Sequence, residues 1–470
     1  MCKVTVFSVF RRCPSRLTRR PLFVSRIMAT FAAVFCCSAT MAHAANHYVR
    51  QGASGTATGA DWTNACTDFT GSCAVGSLVR GDTYYVATGS YSSRTFSTAA
   101  SGTTLIIIRG ATASDHGTDT GWSSSFGVDV TQATWAAGGF VFTSSYWVLD
   151  GAVGPTWSTT PSQYGFKIAD GSSGAFQIGA TSGSALTSIT IAHFASKATT
   201  SDVEKLFLQG ATSGGNHSKI AVSHSLLDTW QNCMMTRGQG GASSDDWLFE
   251  YNVVLNNSST SANHGECLNP NERPMNRLVA RYNLFKGNSG NAGLTGIIVA
   301  NNSDNDNGQF YGNVVDTVST GNGIITGTSQ GNMNNAVVYN NTFINSTTAT
   351  QDWINGPGTG NVAQNNLVYN MDASIGSGWT NDYNAYFSTV NTPTETHRQT
   401  GSSNPFVNLA SRNYNLLAPS TAANALAAPF NVDAFGLVRG ADGVWDRGAL
   451  EYSGTSQSPP GAPTGLKIIP

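Results

Sequence analysis

EYNVVLNN (250–257), RYNLFKGN (281–288), YGNVVDTV (311–318), YNNTFINS (339–346) and QNNLVYNM (364–371) are one motif written five times. Aligned on Asn252, Asn283, Asn313, Asn341 and Asn366, the copies recur every 25–31 residues. SHSLLDTW from Ser223 and AHFASKAT from Ala192 continue the series upstream, with Ser225 and Phe194 in the Asn place. Each unit opens on an apolar strand such as WLF (247–249) or LVA (278–280), turns at the Asn, and runs into a second strand. That strand carries Val254, Phe285, Val315, Phe343 or Val368 two residues after the Asn. A Gly/Ser/Asn loop leads to a third strand: ECLN (266–269), IIVA (297–300), IITG (324–327). Three short strands per repeat cannot bury a face alone, so the units stack. The pattern predicts an all-β chain, a single-stranded right-handed parallel β-helix with an Asn ladder. Asn suits the corner because it tolerates left-handed backbone and its amide both donates and accepts.

Composition agrees. Charged residues make up 11 % of the 470, against about 25 % in an ordinary globular chain. Gly, Ser, Thr and Asn replace the helix formers, so long amphipathic helices are not expected. Residues 1–44 read as an export signal and leave the fold: a basic stretch from Lys3 to Arg26, an apolar run from Ile27 to Met41, and Ala42-His43-Ala44 as cleavage site. The apolar run is too short to span a bilayer, so no transmembrane segment is expected. Arg19-Arg20 leaves a twin-arginine route open beside the Sec route. Secretion, or a periplasmic or cell-surface location, follows. Removing that segment takes seven of 25 Lys+Arg and no acid, leaving 18 basic against 27 acidic residues, a formal −9. Such a charge excludes a global field for nucleic acid or anionic membrane. The β-helix is expected over 45–452 as a monomer, with 453–470 a flexible Ser/Pro/Gly-rich tail.

Cys66, Cys73, Cys233 and Cys267 remain, an even count for an oxidising compartment. Cys66 and Cys73 are near enough to staple one loop. Cys233 and Cys267 fall on the third strand of adjacent coils, where a one-residue choice of register decides whether they meet.

HYVRQGASG near Tyr48, RGDTYYVATGSY (80–91), SGTTLIIIRGAT (101–112) and DHGTDTGW (115–122) resemble the opening coils of secreted bacterial β-helix proteins of the pectate-lyase-like superfamily. NPFVNLASRNYNLLAPS (404–420) and VDAFGLVRGADGVWDRGALEY (432–452) resemble their closing coils. The resemblance implies the fold. It leaves function open among lyases, epimerases, hydrolases and adhesins.

The densest polar stretch, NHGECLNPNERPMNRLVARYNLFK (263–286), supplies His264, Glu266, Glu272, Arg273 and Lys286. Arg237, in the turn after the preceding coil's third strand, is expected near Glu272 and Arg273. β-Elimination on a uronate needs a base and a cation that steadies the enolate-like charge. Glu266, His264, Arg273, Arg237 and Lys286 are the candidate catalytic groups, with Glu272, Arg237 and Arg273 to hold an acidic polysaccharide. Glu266 faces outward only if Cys267 faces in. The stretch resembles an alginate/chondroitin-lyase arrangement, but ANNSDN (300–305) and ITGTSQG (325–331) lack that family's base-type residues. The residues therefore leave two readings: a polysaccharide lyase, or a non-catalytic glycan-binding or adhesin-like surface protein. No cofactor is required. Asp304 and Asp306 offer alternating oxygens suited to Ca²⁺. His193 and His224 share a column with Tyr251 and Tyr282 and read as stacking residues, and Glu250 with Arg281 as a cross-coil ion pair.

Overall fold

The computed structural model describes residues 44–454, apart from 139, 172–173, 180–184, 200–206, 210–214, 237–242, 257–265, 288–297, 301–302, 318–324, 328–330 and 346–351. The expected export signal, save Ala44, and most of the tail lie outside those residues. The described chain is strand and turn, with only short 3-10 turns besides.

Its strands form three long parallel sheets wound as a right-handed β-helix. Sheet A runs from Asn46–Val49 to Trp379–Asp382, sheet B from Gly89–Tyr91 to Gln399–Gly401, and sheet C from Thr95–Phe96 to Asp372–Ile375. Each coil visits A, then B, then C. The interior is a continuous apolar column in which Phe140, Phe176, Met234, Leu268, Ile325 and Ile354 from sheet C meet Phe249, Phe310 and Val338 from sheet A. The strand limits shift by a residue or so from expectation: Leu248–Glu250 for the first strand, Leu268–Pro270 for the third.

The corner between sheets A and B corrects the reason given for its Asn. Left-handed backbone falls on the residue before the Asn: φ is +55° at Tyr251, +56° at Tyr282, +53° at Asn340 and +60° at Asn365. The Asn that follows supplies the hydrogen bonds. Asn283 donates its backbone N–H (3.0 Å) and Nδ2 (2.9 Å) to Asn313 Oδ1. Asn313 does the same to Asn341, and Asn341 to Asn366. Each Nδ2 also donates across the corner to a sheet A carbonyl, as Asn313 does to Ala280 at 2.9 Å. These Asn side chains are 0–1 % exposed, so every rung satisfies groups that would otherwise be buried without partners. Ser225 serves as a shorter rung, accepting from Phe194 N–H and donating its own N–H to Asn252 Oδ1. Beyond Asn384, the carboxylate of Glu395 takes the place of the next rung, accepting from Asn384 N–H and Nδ2.

Residues 404–452 are not closing coils. After Gly401 the chain makes an antiparallel hairpin, Phe406–Asn408 with Asn413–Leu416, and folds back as a strap over the outer face of sheet B. The outward row of that sheet explains why: Leu226, Val253, Leu284, Val314 and Leu367 are apolar and buried, as a sheet covered on both faces requires. Phe430 packs edge-on against Tyr311 and Tyr339, and Tyr414 donates to Asp316.

Both cysteine pairs are bridged. Cys66–Cys73 closes a loop at the amino-terminal end, and Cys233–Cys267 ties adjacent coils with Cα atoms 4.4 Å apart.

Candidate functional site

Stacking brings Thr236 against the turn after Pro270. Glu272 N–H donates to Thr236 O at 3.1 Å, and Thr236 Oγ1 donates to Arg273 O at 2.8 Å. Glu266 precedes the sheet C strand of this coil, Leu268–Pro270, and Glu272 and Arg273 follow it. Arg237 and His264 lie outside the described residues.

Glu266 does not face outward from a strand. It precedes the strand Leu268–Pro270, in the corner where Cys267 is bonded to Cys233, and both residues are 0 % exposed. Strict alternation applies within a strand and fails at this corner. Asn232 Nδ2 donates to Glu266 Oε2 (3.3 Å) and O (2.8 Å), and Asn269 Nδ2 donates to Oε2 at 3.2 Å. The Oδ1 atoms of Asn232 and Asn269 are buried and find no donor among the described residues. Arg273 is buried too (1 % exposed), and burial pulls its guanidinium below the ordinary arginine range. Glu272 alone of the three is exposed.

Lys286 is elsewhere. It sits on sheet B, paired with Asp316 under the strap, because its strand follows the Asn corner and not the loop into sheet C. Asp304 and Asp306 belong to the turn between sheets C and A, where Asp304 Oδ1 accepts from Asn332 N–H and Asp306 Oδ1 from Asn334 Nδ2. They serve the stack of turns. Among the described residues no group of three or more His, Cys, Asp or Glu could hold a metal ion. Glu250 and Arg281 form the cross-coil pair at 2.5 Å, and His193, His224, Tyr251 and Tyr282 stack at centroid spacings of 4.7–5.0 Å.

A second carboxylate group on sheet C was missed in the sequence. Leu268 pairs with Ile298, Ile298 with Ile325, and Ile325 with Ile354. That register puts Asp352 at the coil position of Glu266 and Asn355 at that of Asn269, three coils on, roughly 14 Å along the rod. The bonding repeats as well: Asn355 Nδ2 donates to Asp352 Oδ2 at 2.8 Å. Asp372, on the next coil, pairs with Asp352 in the sheet, and Ser374 Oγ donates to Asp372 Oδ1 at 2.6 Å. Burial, then the nearness of Asp372, hold the Asp352 carboxyl above its usual range. The signal was there, as E-C-L-N and D-W-I-N in register.

No family model matches this chain, and no curated protein matches it. Among solved structures it is similar to the pectate lyase Pel9A, at 13 % identity over 88 % of this chain and 98 % of that one, with a TM-score of 0.39. It is similar also to the PL6 family polysaccharide lyase Pedsa3628 from Pseudopedobacter saltans, at 11 % identity over 76 % and 95 % of the chains, TM-score 0.29. The Streptococcus pneumoniae surface protein and adhesin PfbA matches at 8 % identity over 68 % and 91 %, TM-score 0.23. Likenesses this distant assign no activity to the chain.

Proposed function

We propose that this chain is an exported, monomeric β-helix protein that binds acidic polysaccharide lengthwise along sheet C. The observation that carries the reading is the partly exposed carboxylate group of sheet C, Asp352 with Asn355 on one coil and Asp372 paired beside it on the next. Carboxylates on successive coils, set along an axis, suit a ligand that itself repeats along its length. The two disulfides support passage through an oxidising compartment.

An acidic sugar needs positive charge at these carboxylates. Arg237, a candidate from the sequence, is the first source proposed. The neighbouring carboxylates of Asp352 and Asp372 are the chemistry of a hard cation, and Ca²⁺ there would join chain to sugar carboxylate. Cleavage by β-elimination is the second reading, in which His264 and Arg237 would be the base and the cation.

The test is retention of the chain on a panel of uronate and neutral polymers, with Ca²⁺ and with chelator, while 235 nm absorbance reports unsaturated product. Uronate polymers are expected to bind, at least tenfold more weakly in Asp352→Asn and in Asp372→Asn. Equal binding by both variants, or none to any polymer, would remove the reading. Absorbance growth that stops in an Arg237→Ala variant would make the chain a lyase.

A further inference from the structure

The corner between sheets A and B carries a column of rings in left-handed backbone: His193, His224, Tyr251 and Tyr282, with φ of +56°, +49°, +55° and +56°. His224 lies between His193 (5.0 Å) and Tyr251 (4.7 Å), is 6 % exposed, and neither ring nitrogen has a hydrogen-bond partner among the described residues. His193 differs: its Nδ1 meets Asp150 Oδ1 at 2.6 Å. An imidazole between two rings, with no acceptor, is tolerated only while neutral. Burial, then the nearness of His193, accordingly pull His224 down to about 3.

The segment 151–165 lies flat on this column. It is pinned at both ends by glycines: Gly151 N–H donates to Ala192 O, and Gly165 N–H to Val153 O. A Cβ on Gly151 would come within 2.1 Å of His193 O, and one on Gly154 within 2.9 Å of both His193 Cδ2 and His224 O. From the same segment Trp157 donates to Tyr282 O at 2.8 Å and packs edge-on against Phe435 of the strap. Covering the rings and holding the strap are thus done by one loop.

We propose that His224 is an acid-sensitive latch, which keeps the 151–165 loop closed while neutral and releases it, with the strap contact at Phe435, when it takes a proton. The charged and titratable groups facing it are His193 with Asp150, and Tyr251 from the next coil; Tyr164 of the loop lies beside Gly154. Asp150 is held below the usual carboxylate range: burial opposes its ionisation, but His193 beside it prevails. The Asp150 charge is thus already spent on His193 and is not the acceptor that His224⁺ would need; opening to water supplies one. Linkage sets the response. A proton that binds the open loop near 6.5 and the closed loop near 3 raises the open population about tenfold per pH unit between those values.

Hydrogen exchange of the full chain, corrected for the intrinsic pH dependence of amide exchange, tests this. From pH 6.5 to 4.5, amides of 152–163 are expected to open about a hundredfold more, while the Asn283 and Asn313 amides stay protected. His224→Tyr, which copies the ring at Tyr251, should abolish the change and keep the loop closed. Gly154→Ala should leave the loop open at pH 7. An unchanged pH response in His224→Tyr, or no response in the parent chain, would overturn the latch.

Discussion

The Asn corner and the strap solve one problem by opposite means. At the corner, neutral amides repeat: each rung accepts two bonds from the rung before and passes on the same. No charge is buried, and the loss of one rung is local. In the strap nothing repeats. Arg439 (4 % exposed) sits among the Ala449 carbonyl at 2.7 Å, the Glu451 carboxylate at 3.6 Å and the nearby charge of Asp433. Those carboxylates also accept backbone N–H groups, Leu437 on Asp433 and Gly440 on Glu451. A repeat tolerates damage because its neighbours are copies. A single charge cluster has no copy.

The first way to break that contrast is Arg439→Met, which keeps volume and removes the charge. Removing one member of a buried ionic cluster costs about 3–5 kcal/mol, since the other members stay buried without it. Denaturant melting should show a loss of that size, and the strap should come away from sheet B. A loss below about 1 kcal/mol would mean that the cluster is not what holds the strap.

The second acts on the ladder. Asn313→Ala leaves the Asn283 N–H and Nδ2 without their acceptor in a dry corner, at about 2–3 kcal/mol. Asn332→Ala, at an exposed turn whose backbone is not left-handed, should change stability by less than about 0.5 kcal/mol. Equal costs at the two sites would show that burial of the amide row is not what stabilises it.

The same contrast separates what could be read in the sequence from what could not. Repetition is visible in one dimension, so the coils, the Asn column and the aromatic column were legible from their period. The strap's contacts join residues some hundred positions apart, Tyr414 to Asp316 and Trp445 to Asn340, and no period announces them. A local clue existed: Val253-Val254, Leu284-Phe285 and Val314-Val315 are apolar on both faces of sheet B, where a solvent-facing sheet would alternate. For the candidate site, the stacking of Thr236 on the 270–273 turn was legible from register. The facing of Glu266 was not, because alternation stops one residue short of it. Lys286 was misplaced because nearness in sequence to Arg273 hides a change of sheet.

The smallest expected effect compares the two regions by pH. In the solenoid, His217 accepts Leu186 N–H at 2.9 Å, and burial, then nearby Arg273, pull it down to about 4. Unfolded, it binds a proton near 6.5, so below that pH the unfolded chain holds more protons and stability falls with acid. In the strap, burial pushes Glu451 up to about 7 from 4.5. There the folded chain holds the extra proton between those values, so stability rises with acid. From pH 7 to pH 5 the two contributions are each about 2 kcal/mol and opposed. His217→Asn, which keeps an acceptor for Leu186, should therefore lose less stability over that interval than the parent chain. Glu451→Gln should lose more. Melting curves at the two pH values decide it, and deviations of the same sign in both variants would show that strap and solenoid do not titrate as separate regions.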